Sequence, residues 1–264
     1  MSSTASAAEL LATVERSPQA VAAHDRAAWV GLFADGARVE DPVGSRPHRG
    51  TAAIERFYDT FIAPNGIAFR IEQDVVCGMA VYRDLAIETT MSTGVTLRVP
   101  MHLRYDVAQV GGELKITELH AHWELPVMIG QLLAAGVPGL TAAAKLAPQL
   151  LGNQGIGGAL GFARGFVRVG AAGKRAATDL LRAAGRGEGA AVRSALTPDA
   201  SLRWAGTPLG VEGFVGRAGG IEVGKTIGAG RFVTATVTTG DGRGIAELEL
   251  ARGGKRVSAV RVFV

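Results

Sequence analysis

Leu32-Phe33-Ala34-Asp35-Gly36-Ala37-Arg38-Val39-Glu40-Asp41-Pro42-Val43-Gly44-Ser45 is the stretch from which the fold can be read. It opens at the end of an amphipathic run and passes a turn signal at Asp35-Gly36. A short strand over Ala37–Glu40 then delivers Asp41 into the loop Pro42-Val43-Gly44-Ser45. The proline disfavours helical geometry for the residue before it, so Asp41 is held extended at a strand end among apolar neighbours. A carboxylate at the mouth of an apolar cavity suits the abstraction of a C–H proton and its return to another carbon. The dipeptide Asp41-Pro42 by itself reads rather as an ordinary surface turn, and it is the longer string that reverses this.

Working outward, residues 9–34 carry Leu10, Leu11, Val14, Val21, Ala22, Trp29, Leu32 and Phe33 at helical spacing, with Pro18 expected to separate two helices. Gly50 to Ile62 is a further amphipathic helix. After Pro64-Asn65-Gly66 come four strand-like runs, Ile67–Cys77, Ala80–Met91, Val95–Val107 and Leu114–Trp123, with Gly111-Gly112 as a hairpin signal. Helices followed by a meandering antiparallel sheet define an α+β layout, a curved sheet with helices on one face.

The chain changes character at Leu125. From there to Gly173 the only charges are Lys145, Arg164 and Arg168. Val127–Ala135, Leu140–Leu151 and Ala159–Val169 read as short helices broken by glycine and proline. Two prolines and Gln131 argue against a membrane span in Leu125–Ala144, leaving a helical linker or a segment making peripheral membrane contact through 127–170. The last ninety or so residues then repeat the first order in worn form. Ala176–Leu196 is helical, Ala200-Ser201-Leu202-Arg203-Trp204 parallels Ala37-Arg38-Val39-Glu40-Asp41, and Gly253-Gly254 parallels Gly111-Gly112. The expected domains are residues 8–126, a Gly-rich apolar helical linker over 127–173, and a degenerate second copy over 174–264. Trp204 stands where the acid would be, so the second copy is expected to be non-catalytic, an internal pseudo-dimer partner unless the chain forms a homodimer.

With 264 residues, 47% hydrophobic and 20% charged, the chain has material for two packed cores. Its net charge of +4 is spread along the chain and aromatics are only 6%, which argues against nucleic acid as a partner. One cysteine, Cys77, rules out an intrachain disulfide and any multi-cysteine metal site. The N-terminus has no basic region followed by an apolar core, so a cytoplasmic protein is expected. His120 and His122 alternate on one strand face but lack a third ligand at a metal-binding spacing, so no metal is expected. No G-x-S-x-G elbow occurs, and the glycine clusters at 155–158 and 217–230 lack phosphate-binding patterns.

The opening stretch, followed by Gly50-Thr51-Ala52-Ala53-Ile54-Glu55-Arg56-Phe57-Tyr58, closely resembles the bacterial ketosteroid isomerases, and the likeness continues through His102-x-Arg104 to Trp123. It covers a little under half of the chain. The resemblance implies the cone shared with nuclear transport factor 2 and the SnoaL-like polyketide cyclases, and places Asp41 as the base that moves a proton between two carbons of a 3-oxo steroid. It places Trp123 on the final strand as an indole donor to Asp41, and Tyr58 at a tyrosine that supports the donor network. Val39, Phe57, Met101 and Leu103 are the expected pocket wall, and the implied partner is a hydrophobic small-molecule ligand with no cofactor, since the substrate carbonyl is the electron sink. In the isomerases a tyrosine and a protonated aspartic acid hold the oxyanion. Here the first helix reads Glu15-Arg16-Ser17-Pro18, without a tyrosine. Aligning on His102 and Arg104 puts Met101 in place of the acid, whereas aligning on Pro100 puts His102 there. The first choice gives Met101, Leu103 and Tyr105 one inner face. Each missing donor costs roughly 3–4 kcal/mol of barrier. Epoxide hydrolysis, polyketide cyclisation and simple lipid or polyketide binding are the alternative uses of the same pocket.

Overall fold

A computed structural model of the chain describes residues 5–141, 144, 152, 161 and 168–264. They fall into two compact units, the first taken from within 1–74 and 79–166, the second from within 75–78 and 167–264.

The first unit begins with α1 (Ala7–Ala22), started by a capping box. Ser6 Oγ accepts from Glu9 N at 3.2 Å and the Glu9 carboxylate accepts from Ser6 N at 2.8 Å. Contrary to the expected break, the helix runs through Pro18. The buried stripe Leu10, Val14, Ser17, Val21 lies on both sides of the proline, and its packing outweighs one lost backbone bond. Next come α2 (Arg26–Gly31), capped by Asp25, and β1 (Phe33–Glu40). The expected turn at Asp35-Gly36 is instead a bulge within β1, where Gly36 has φ +76° and the register against the neighbouring strand slips between Phe33 and Arg38. β2 (His48–Arg49) and α3 (Thr51–Phe57) follow, and a π-turn over Tyr58–Ile62 replaces the last turn of the expected helix.

The four strands read from sequence are β3 (Gly66–Cys77), β4 (Ala80–Thr90), β5 (Thr96–Val110) and β6 (Glu113–His122), displaced from expectation by at most a few residues. Gly111 and Gly112 close the β5–β6 hairpin with φ of +59° and +88°, which a primed turn demands. The sheet order is β2-β1-β6-β5-β4-β3. One pairing, β1 with β6, is parallel, so the sheet is mixed where an all-antiparallel one was expected. After β1 the chain crosses through α3 to the far edge and meanders back, arriving beside β1 in the same direction. Helix α4 (Leu125–Ala134) follows β6.

The second unit repeats this order: α5 (Gly170–Gly185), α6 (Gly189–Ala195), β7 (Leu196–Trp204), β8 (Thr207–Leu209), α7 (Val211–Arg217), β9 (Glu222–Ala229), β10 (Phe232–Thr239), β11 (Gly242–Leu250) and β12 (Val257–Phe263). Its sheet order, β8-β7-β12-β11-β10-β9, is that of the first sheet strand for strand, and β7 with β12 is again the parallel pair. The chain is a duplicated cone. The single helix expected over 176–196 is split by Gly187 at φ +78°, and β9 occupies residues within the expected 217–230 glycine cluster.

About half of the apolar linker, including most of the expected helices Leu140–Leu151 and Ala159–Val169, lies outside the described residues. Its start is α4, which leaves Val127 and Leu133 exposed. Among the described residues no helix is long and apolar enough to cross a membrane.

Candidate active site

The loop after β1 is tied at three points. Val43 N donates to Ala121 O at 2.9 Å, Ser45 N to Pro42 O at 3.0 Å, and Gly44 N to Glu40 Oε1 at 2.8 Å. Glu40 is itself held by Arg38, and His120 Nδ1 lies 3.7 Å from its other oxygen. Burial opposes its charge, but His120, the Gly44 N–H and Arg38 keep its carboxyl below the ordinary range. An ionised Glu40 thus fixes the loop that carries Asp41.

Asp41 faces a cavity of about 160 Å3 in the first unit. Its wall is mostly apolar, with Met101 and Leu103 from β5, Phe57 and Phe61 around the π-turn, and Met128 and Leu132 from α4. Trp123 Nε1, just beyond β6, donates to Asp41 Oδ1 at 2.5 Å. Burial among these apolar groups pushes the Asp41 carboxyl from 3.8 up to about 6, and the Trp123 bond only partly offsets it. At neutral pH most Asp41 is ionised, yet its proton affinity is far above that of a solvated carboxylate. That is the property a general base needs.

The α4 ceiling is fastened by one side chain. Gln131 Nε2 donates to Arg98 O at 2.8 Å, and Arg98 N donates to Gln131 Oε1 at 3.0 Å. The amide meets β5 as a neighbouring strand would, on the side where β5 has not yet paired with β6.

Of the site residues read from sequence, the structure brings together Asp41, Trp123, Phe57, Met101 and Leu103. Val39 is fully buried but stands outside the pocket lining, because β1 ends at Glu40 and only the loop beyond it turns into the cavity. Tyr58 is likewise buried and outside the lining. Its ring packs on Trp29 at 5.6 Å between centroids, its hydroxyl has no hydrogen-bond partner among the described residues, and the charges it feels are Asp25, Arg26 and Asp59. The π-turn at Tyr58 re-aims the side chain, so the geometry does not offer it as a donor at Asp41.

Several lining residues were not read as site residues, among them Ser17 and Trp29, and Tyr105 was placed on the inner face but given no role. Tyr105 shares inner-face parity with Met101 and Leu103, which was the signal available for it. His120 and His122 share a strand face but serve different partners. His120 Nε2 lies 2.6 Å from Glu118, and His122 Nε2 lies 3.4 Å from the Tyr82 hydroxyl. Asp106, Glu118 and His120 lie near one another, but Arg104 already engages Asp106 at 2.9 Å.

The sequence model of the SnoaL-like domain family matches residues 14–119. Together with the relative described next, this match shows that the chain belongs, through its N-terminal unit, to the SnoaL-like, ketosteroid isomerase-type family. That relative is a steroid Delta-isomerase of Nocardioides simplex, 34% identical over 116 residues that span 90% of the relative and 44% of this chain. Among solved structures, the Delta 5-3-ketosteroid isomerase from Mycobacterium sp. is 31% identical, with 46% of this chain and 96% of that one covered and a TM-score of 0.42. A Mycobacterium tuberculosis protein in complex with estradiol-17beta-hemisuccinate is 27% identical, covers 45% of this chain and 96% of its own, and has a TM-score of 0.42.

Proposed function

We propose that the N-terminal pocket catalyses intramolecular proton transfer on a hydrophobic carbonyl compound, with a 3-oxo-Δ5-steroid as the model substrate and Asp41 as the base. The observation that carries this reading is a single carboxylate, raised to about 6, in an apolar wall with an indole as its hydrogen-bond partner. Asp41 takes a proton from the carbon between the carbonyl and the double bond, leaving a dienolate. The protonated acid then returns the same proton to the far end of the diene, and the double bond ends in conjugation. Trp123 keeps one carboxylate oxygen engaged and leaves the other free to travel between the two carbons. The steroid isomerase relative supports the substrate class.

Epoxide hydrolysis would use a water held between Asp41 and a second acid. Asp41 is the one carboxyl among the described lining residues, which favours isomerisation. The test is the rise in absorbance as the enone forms, compared between the parent and Asp41→Asn. Equal rates in both, or none above buffer in either, would remove this function and leave a binding module.

A further inference from the structure

Besides the base, the pocket wall contains a short chain of polar groups. Ser17 on α1 and Tyr105 on β5 both line the cavity, and they are only 2% and 1% exposed. Trp29 Nε1 donates to Ser17 Oγ at 3.0 Å. Ser17 is the side-chain hydrogen-bonding group that acts on the Tyr105 phenol, against the upward push of burial. An indole can only donate, so one serine lone pair is already taken, and the two hydroxyls have two hydrogens between them. Whichever hydroxyl donates to the other, one O–H hydrogen remains. Serines inside helices commonly return that hydrogen to the carbonyl four residues back. Thr13 and Thr60 do so here, through Glu9 O at 2.8 Å and Arg56 O at 2.6 Å, and no such bond is made by Ser17. A buried donor without an acceptor is costly unless a ligand supplies one.

We propose that the Ser17–Tyr105 hydroxyl pair, set by Trp29, is the hydrogen-bond donor to the ligand's carbonyl oxygen in this pocket. It would do the work of the tyrosine that the first helix lacks and of the acid that β5 lacks. The proposal rests on the carbonyl-compound reading of the site. Burial pushes the Tyr105 phenol above its usual 10, with the Asp41 carboxylate adding to the push, so it keeps its proton at neutral pH and can donate. Arg83, fixed to Asp74 at 2.7 Å, is the cation that acts on the same phenol. As negative charge develops on the carbonyl oxygen, the remaining O–H shortens its bond to it. The second O–H and the Trp29 N–H follow along the chain, so Trp29 is a positioning residue and the two hydroxyls are the contacts.

The experiment is a binding comparison of matched ketone and hydrocarbon probes, read through quenching of the lining tryptophans. The first pair is a 4-ene-3-oxo-steroid and its 3-deoxy analogue; the second is the smaller 1-tetralone and tetralin. The parent should prefer the ketone by about tenfold, as one hydrogen bond to a carbonyl allows. Tyr105→Phe and Ser17→Ala should each remove most of that preference while leaving hydrocarbon affinity within about twofold. Asp41→Asn should keep the ketone preference, so loss of turnover there separates the base from the donor. On bound 4-ene-3-one the enone absorption should shift to longer wavelength, and Tyr105→Phe should abolish the shift. A ketone preference that survives both hydroxyl variants would overturn the proposal. So would the absence of any preference in the parent for either pair, even if Asp41-dependent turnover were found. Preference for tetralone with no steroid binding or turnover would keep the donor and remove the steroid.

Discussion

The two units share a strand order and a parallel junction, yet the first carries an acid into a cavity where the second buries a tryptophan. The difference starts at the end of the first strand of each. In the first unit Val39 pairs with His48, and the intervening loop carries Asp41 into the pocket. In the second, Trp204 pairs with Thr207 across the two-residue turn Ala205-Gly206, whose positive φ values are +45° and +79°. No loop is left to hold an acid, and the residue at that point is a tryptophan 2% exposed. It packs on Phe214 at 5.9 Å between ring centroids and donates Nε1 to Asp241 Oδ2 at 3.0 Å. Each unit therefore has an indole bonded to an aspartate, with the roles arranged differently. In the first, Trp123 orients an acid that faces the cavity. In the second, Trp204 fills the interior and its aspartate, beside Arg217, is largely exposed. The four meandering strands shorten as well, most of all from 15 residues in β5 to 9 in β11.

The largest expected effect that would break this contrast is on turnover. Asp41→Asn keeps the shape and removes the base, so isomerisation of a 3-oxo-Δ5-steroid should fall by roughly 10²–10⁴-fold. The same assay on Asp241→Asn should show no loss, and a comparable loss there would mean that the second unit is not a scaffold. Next in size is stability. Trp204→Ala empties the middle of the second core and should cost about 3–5 kcal/mol in denaturant unfolding of the full chain. A cost below about 1 kcal/mol would mean that Trp204 does not hold that core together.

Trp123→Phe sharpens the comparison from the other side. It removes a hydrogen bond to a carboxylate, worth about 1.5–3 kcal/mol, and so raises the Asp41 pKa further above 6. Activity should rise with pH as Asp41 loses its proton, with a midpoint near 6 in the parent and about one unit or more higher in the variant. Coincident pH–rate profiles would sink that role for Trp123. The smallest effect is a pH-dependent stability. The folded pKa of about 6 lies above the ordinary 3.8, so between those values the folded chain binds more protons than the unfolded one. Stability therefore declines as pH rises through this window, and stays lower above it. Asp41→Asn should melt a few degrees higher than the parent at pH 8 and lose that advantage near pH 4. A variant that melts lower than the parent at pH 8 would show that the carboxylate is not strained by its surroundings.

Much of this was legible in the residues because it depends on local rules. Alternation and paired glycines marked β3 to β6, and the long match around Asp41 marked that carboxylate and its loop. The repeat was legible in the order of its signals, since Gly253-Gly254 and Trp204 keep their places along the chain. What escaped were matters decided by tertiary packing. Pro18 sits inside a helix because a buried stripe lies on both sides of it. Tyr58 stands at a suggestive position, but a π-turn rotates it out of the lining. The pairing of Ser17 with Tyr105 joins a helix to a strand 88 positions on, and no spacing rule reaches that far.

One further consequence belongs to Gln131. The outer side of β5 around Arg98 is an open strand edge, with a backbone N–H and C=O turned away from β4. Such an edge invites another chain to add a strand. The Gln131 amide presents one donor and one acceptor side by side and satisfies both groups of Arg98. A single side chain thus imitates one residue of a neighbouring strand. It closes a docking point for self-association at the same place where it pins the ceiling of the pocket.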